Sequence, residues 1–553
     1  MRSIRETKLR FSPLLVCLSL ALMACPSAPQ APRQRGAGRS YPQRGGTFSF
    51  SHESNVRTLD PHLAFDELSM AAIRLLFDGL LDYDAEARLI PSIAQRLPEV
   101  LDGGRRYIFE IRRGVRFHHG RELEAEDIAW SIRRMLDPKI GSPGFTFFKN
   151  LEGLEDFRAG RRKTIAGIRV LAPHRIEFRL HRADQTFLNA LAMSFAYPLP
   201  KEIYGVRPLA ELARHPVGTG PFRLQSWERG VRLIFHRNPN YWREGKPYVD
   251  RMVFYENISR DIAVMRFRNG ELDHLGAFSP TDYVFFKNSK AWQPYLSEAP
   301  EATIWGLAMN CQLFPFDNVH IRRAVSYALD RERWARVRNG RIRVTGQPIP
   351  PGIVGYRASF PEQQGFDLAK AREEMALAGY PDGLPQEVTL WMGEGASSRF
   401  FGELTQADLA KIGIRVRLKP VAFAVFLQET GKPKTAQMLM SGWAQDFPDP
   451  ADFLDILFHS SAIHPSDSEN RAFYSNPTLD RLLDEARGEI DAERRRRLYE
   501  EASRIVSVDA PWAFLWNGID FNARQPFVRG FRQHPVWKGD YRFVWLDRPL
   551  RKF

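Results

Sequence analysis

The chain has 553 residues, 44% of them hydrophobic and 26% charged, with 39 glycines and 38 prolines. These proportions exclude a disordered tail protein, a collagen-like repeat and a polytopic membrane protein, and the length suffices for roughly three to four units with cores of their own. The formal charge of +14 raises nucleic acid or anionic lipid as partners. However, the densest basic run, Arg494-Arg495-Arg496-Arg497, is bracketed by Asp491, Glu493, Glu500 and Glu501, as on a solvated helix face. No nucleic-acid partner is expected.

Arg2, Arg5, Lys8 and Arg10 precede an apolar stretch over residues 11–24, too short for a stable membrane span. It ends in Leu22-Met23-Ala24-Cys25, which resembles a bacterial lipobox. Residues 1–24 then form a signal peptide and Cys25 is the lipidation site. Residues 25–44, rich in Pro, Gly, Ser, Gln and Arg, form a flexible tether. With Cys17 removed and Cys25 lipidated, only Cys311 remains, so no intrachain disulfide is possible.

Residues 47–51 alternate as a strand after a Gly pair. Tyr107, Phe109 and Ile111 alternate before Arg113-Gly114, which predicts a hairpin returning through Val115 and Phe117. Ile128, Ile132, Met135 and Leu136 mark one helix face, stopped by Asp137-Pro138. Residues 168–170 and 176–180 predict a strand pair. Residues 304–311 read as a strand, with Cys311 as a small buried hydrophobe. Asp317 or Asn318 caps a helix carrying Ile321, Val325, Ala328 and Leu329. Asp367 caps another that Gly379 closes. Gly413 breaks a helix into the strand through Ile414, Val416 and Leu418, and two long helices follow, one with Leu479, Leu483 and Ile490, one with Leu498, Ala502 and Ile505. The second half therefore reads as an α/β unit, and residues 75–195 as a smaller, hairpin-rich one.

Catalytic motifs are absent from this pattern: no Gly-x-Ser-x-Gly, no His-Glu-x-x-His, no Walker loop. Gly218-Thr219-Gly220 lacks the third glycine of a nucleotide fingerprint. His118-His119 project to opposite faces if extended and suit a surface or structural role. His459 and His464 flank a Ser-rich stretch and are expected to be solvated. No cofactor, metal or enzymatic activity is expected. The informative segment is Trp443-Ala444-Gln445-Asp446-Phe447-Pro448-Asp449-Pro450. Its prolines stiffen the backbone, and an Asp beside aromatic rings is partly desolvated and favours a cationic partner. Asp449, before a helical run, suits a cap; Asp446 suits a ligand.

Further strings run in a fixed order: Gly45-Gly46-Thr47-Phe48, Leu59-Asp60-Pro61-His62, Phe77-Asp78-Gly79-Leu80-Leu81, Arg113-Gly114-Val115-Arg116-Phe117, Pro216-Val217-Gly218-Thr219-Gly220-Pro221-Phe222, Arg237-Asn238-Pro239-Asn240-Tyr241-Trp242 and Arg322-Arg323-Ala324-Val325-Ser326-Tyr327-Ala328-Leu329-Asp330-Arg331. Together with the Trp443 segment they resemble the extracytoplasmic solute-binding proteins of the dipeptide/oligopeptide/nickel family of ABC importers. The resemblance implies an α/β, two-lobed periplasmic-binding-protein fold of type II in its large three-domain form. Residues 45–72, 197–302 and 512–553 would form a discontinuous lobe I core, residues 73–196 a smaller inserted α+β domain, and residues 303–511 lobe II, with hinge crossings near 300 and 510. It also implies a monomeric, membrane-anchored receptor that captures small peptides between the lobes and delivers them to a permease and ATPase. Asp446 would take the ligand amine, Gly442 and Trp443 would line the peptide, and Ser54 and Asn55 would approach from lobe I. An oligosaccharide, metal chelate, haem or opine-like ligand is the alternative within the same role; a lipid-anchored envelope enzyme is the alternative outside it.

Overall fold

The computed structural model describes residues 41–276 and 278–547; the expected signal peptide and the Cys25 lipidation site lie outside them. Thr47–Ser51 is a strand, as its alternation predicts, and its Phe48 and Phe50 are buried. It pairs in parallel with Arg251–Tyr255, which continues antiparallel into Arg232–Arg237 and Phe222–Glu228 to complete a four-stranded sheet. Between its first and second strands in sequence the chain builds a separate antiparallel sheet, in the order Glu99–Leu101, Arg106–Glu110, Arg175–Arg179, Ile168–Ala172. Helix Ala125–Leu136 covers it, and Ile128, Ile132, Met135 and Leu136 all face inward.

The expected hairpin at Arg113-Gly114 is absent. Arg106–Glu110 pairs with Glu99–Leu101 and Arg175–Arg179 on its two edges, so no edge is left for residues 115–117. Val115 and Phe117 are nevertheless buried in the same core. The alternation there reported burial correctly and pairing wrongly.

The third sheet is mixed, in the order His274–Leu275, Trp512–Arg524, Thr303–Met309, Met438–Ala444, Val388–Gly393, Val416–Val421. Alternate residues of Thr303–Met309 face opposite cores. Leu307 and Met309 meet helices Val319–Ala328, Leu368–Leu377 and Ala396–Leu409, whereas Ile304 and Ala308 meet Ala451–Phe458, Pro477–Gly488 and Ala492–Asp509. Asn318 and Asp367 cap their helices as expected, and Gly413 takes a left-handed φ of 73° to turn the chain into Val416–Val421. The strand Trp512–Arg524 is 13 residues long and joins regions. Its first half pairs with Thr303–Met309 and its second half with Leu296–Pro300. Arg494, Arg496 and Arg497 pair with surrounding acids on a solvated face, but Arg495 turns inward to the buried Asp449 at 2.8 Å.

Candidate functional site

Met438–Ala444 pairs along its whole length with Thr303–Met309, with Gly442 opposite Trp305 and Trp443 opposite Ile304. On its other edge, Val388–Gly393 pairs only with Met438 and Leu439. From Met440 to Ala444 that edge has no strand partner among the described residues. Gly442 is dictated by packing: a Cβ there would lie 2.6 Å from the Trp305 ring. Trp443 is half-buried against the core containing Ile304 and Leu439.

The strand runs out into residues 445–450 and helix Ala451–Phe458. Asp449 accepts from the Ala451 N–H at 3.0 Å, the expected capping role, and also holds Arg495. The fully buried Asp452 organises the loop. Its Oδ2 accepts the Asp446 N–H at 2.8 Å and the Trp443 Nε1–H at 3.3 Å. Burial, and then the neighbouring Asp446, push the Asp452 carboxyl well above the usual carboxylate range. Asp446 differs in that its carboxylate is reachable by solvent and accepts no hydrogen bond from any described residue. The surrounding protein mass, and Glu469 after it, push it up to about 6. Asp446 is therefore an under-solvated carboxylate with no Lys, Arg or His nitrogen within 4.0 Å among the described residues.

The residues on either side of Asp446 both reach the opposite half of the molecule. Gln445 Nε2 donates to the Pro535 carbonyl at 2.6 Å, and Phe447 enters the core of the inserted unit, edge-on to Phe147 at 5.9 Å. Farther out, the Gln185 N–H donates to the Arg487 carbonyl at 2.9 Å and Arg182 pairs with Asp484 at 3.4 Å. The two halves are in contact around the Asp446 loop.

A cavity of about 400 Å³ lies where the end of Thr47–Ser51, the crossing strands and the C-terminal segment converge. Ser51, His52 and Glu53 line it from one half, Arg341 from the other, with Glu301 just after strand Leu296–Pro300 and Asp520 on Trp512–Arg524. Lys538 reaches Glu67 at 2.8 Å and Glu301 at 3.6 Å. Burial pulls the Lys538 ammonium down, but Glu67 and Glu301 outweigh it and hold it charged. Burial and Glu301 push Asp520 up to about 6.

The structure thus divides the five expected ligand residues. Gly442, Trp443 and Asp446 lie on one strand and the loop that leaves it, Trp443 and Asp446 both donating to the Asp452 carboxyl. Ser54 and Asn55 are exposed beside the Glu53–Arg260 ion pair, next to the residues that line the cavity, and no described contact joins them to the Asp446 group. Asp452, Glu469, Glu301, Asp520 and Lys538 escaped the sequence reading. Asp452 had a signal, since it stands one helical turn past the Asp449 cap; the others are brought in by tertiary folding.

The remaining candidates are structural. His118 is buried, with Nε2 3.1 Å from the Gly220 carbonyl and Nδ1 accepting the Gly218 N–H at 3.3 Å; burial pulls it down to about 4. Gly218 and Gly220 let the chain pass the end of a helix, since Cβ atoms there would sit 2.2 and 2.4 Å from Leu76 backbone atoms. His459, expected to be solvated, is buried between Asp480 and Asp484, because the Ser-rich stretch folds onto helix Pro477–Gly488. Burial pushes the Cys311 thiol up to about 11, consistent with an inert packing role. No cluster of three metal-ligating side chains occurs among the described residues.

A family model for bacterial extracellular solute-binding proteins, family 5, matches residues 88–465. The chain is 28% identical over 499 residues to di/tripeptide-binding protein 2 of Pseudomonas aeruginosa, covering 86% of this chain and 90% of that one. It is 27% identical over 551 residues to heme-binding protein A of Haemophilus influenzae, covering 96% and 97%. The solved structure of clavulanic acid biosynthesis oligopeptide binding protein 2 superposes with a TM-score of 0.83 at 25% identity, over 91% of this chain and 96% of that one. The architecture is the two-lobed, type II periplasmic-binding-protein fold. A mixed sheet clothed by helices on both faces, a second lobe reached by crossing strands, and a match spanning most of the chain lead to one assignment: the chain belongs to the bacterial extracellular solute-binding proteins of family 5.

Proposed function

We propose that this protein is the substrate-binding lipoprotein of an ABC uptake transporter, tethered outside the cytoplasmic membrane through Cys25, and that it binds small peptides between its lobes without altering them chemically. The observation that carries this reading is the half-paired strand Met440–Ala444 ending at the unpartnered Asp446 carboxylate. An extended peptide adding to the open edge would pair through its main chain, which is common to all peptides, while its α-ammonium meets Asp446. Because Gln445 and Phe447 already touch the other lobe, a ligand at Asp446 sits where it bridges both lobes. Differential contact of that kind shifts an open–closed equilibrium. On this reading the lobes cross near residues 300 and 510, so that Leu296–Pro300 and Trp512–Arg524 are the hinge strands.

The test is calorimetric. Short peptides with a free amine should bind, and their N-acetylated forms should bind at least about thirtyfold more weakly, the lower limit for losing one partner of a buried charge pair. Equal affinity for both forms overturns the amine-anchor reading. The haem-binding relative, similar over nearly the whole chain, favours a second reading in which the same cleft takes a non-peptide cargo. Under it, haem stabilises the protein against heat and peptides do not.

A further inference from the structure

A second cavity, of about 390 Å³, lies within the first lobe, and no strand of the large mixed sheet contributes to its wall. It is bounded by the hairpin of Leu81–Tyr83 and Leu89–Pro91, by the loop at residues 243–248 and by the C-terminal segment, with Pro42 at one side.

Its charges do not balance. The three carboxylates facing it are already engaged. Asp82 pairs with Arg74 at 3.2 Å and with Arg542 at 2.7 Å, Asp540 pairs with Arg542 at 2.9 Å, and Asp84 pairs with Arg88 at 2.7 Å. Three further cations face the same space, Arg243, Lys246 and Arg532, and none has a carboxylate within 4.0 Å among the described residues. Arg243 and Lys246 are instead gathered on one aromatic ring. The centre of Phe543 lies 5.7 Å from the Arg243 guanidinium carbon and 4.7 Å from Lys246 Nζ, and Tyr248 lies 4.4 Å from the same Nζ. Arg243 gives one hydrogen bond to Ser92 Oγ at 3.1 Å, but its Nε is buried without a partner. The acid behind it, Asp78, accepts from Tyr241 and Trp242 and makes no ion pair with it within 4.0 Å.

Cation–π contact attracts each charge to the ring but neutralises neither. Two cations held together in a low-dielectric recess focus a positive field that selects an anion. A guanidinium fork beside an ammonium matches the oxygens of a phosphate. The volume exceeds that of a bare phosphate and falls in the range of small-molecule sites, and the aromatic wall suits an organic substituent. We propose that this first-lobe cavity is a second binding site, separate from the inter-lobe cleft, for a phosphate ester whose phosphate lies between Arg243 and Lys246 with Arg532 at the rim. The ester can come from a soluble metabolite or from a phospholipid headgroup presented beside the N-terminal tether.

The test is titration calorimetry of the mature chain at fixed ionic strength with glycerol 3-phosphate, glycerophosphoglycerol, inorganic phosphate and acetate. Saturable binding of a phosphate compound over acetate supports the site. A preference for glycerol 3-phosphate identifies the soluble source, and one for glycerophosphoglycerol the headgroup source. Lys246→Gln and Arg243→Gln should each weaken binding about tenfold or more, the loss of a charge-assisted hydrogen bond. Lys246→Arg should retain it, and cleft-ligand affinity should not change in any of the three. No saturable phosphate binding below about 10 mM, or equal binding by wild type and a Lys246→Gln protein with an unchanged melting temperature, overturns the proposal.

Discussion

Replacing Asp446 by Asn separates the two properties that its surroundings give it. The substitution keeps the shape and removes the charge. In the proposed complex that charge faces a ligand ammonium withdrawn from water, so losing it should cost about 2–5 kcal/mol of binding, a rise in Kd of about 30-fold to several thousandfold. Stability should move the other way. Desolvation and Glu469 push the carboxyl from 3.8 to about 6 in the folded chain. The unfolded chain therefore ionises first as pH rises, and the folded state is penalised above the unfolded value, with the full penalty reached above about 6. Solvent reaches this side chain, so the penalty is discounted for screening to about 1 kcal/mol or less. The Asn variant should thus match or slightly exceed wild-type thermal stability at pH 7 while losing affinity for free-amine peptides, and the advantage should vanish near pH 4. Calorimetry with a free-amine tripeptide and its acetylated form, alongside thermal unfolding at both pH values, decides the matter. A variant that binds the free-amine peptide within threefold of wild type would refute the reasoning.

Affinity for free-amine ligands should fall about tenfold per pH unit once pH drops below about 6, because binding needs the ionised Asp446; a flat profile between pH 7 and pH 5 contradicts this. Asp452→Asn should cost little, since burial already favours the neutral form of this carboxyl and the amide oxygen can accept the same two N–H groups. Asp452→Ala strands both donors and should lose about 1–3 kcal/mol in urea unfolding. Gly442→Val drives carbon into the Trp305 ring and should destabilise by about 1–3 kcal/mol, with peptide binding lost at temperatures where the protein is still folded.

Local chemistry made much of this architecture legible. Asn318, Asp367 and Gly413 act where their side chains or their freedom of φ dictate, and those constraints depend only on near neighbours. The segment at residues 443–450 announced an unusual carboxylate because Trp, Phe and Pro crowd it in sequence as well as in space. Pairing partners were less accessible. Val115 and Phe117 carry the alternation of a strand, yet the edge they would need is taken by Arg175–Arg179, more than fifty residues downstream. His459 looked solvated because nothing near it in sequence reveals the helix that covers it. Lys538, Glu301 and Glu67 meet from three distant segments, a coincidence that no local pattern encodes.

The strand Trp512–Arg524 has a consequence for how the molecule is made. It sits inside the largest sheet, against Thr303–Met309 on one side and Leu296–Pro300 on another, yet it comes after every other strand of that sheet in sequence. Until it arrives, the sheet lacks an interior member and both layers of helices rest on an incomplete platform. A chain of this design cannot complete its main platform until this one strand has been made.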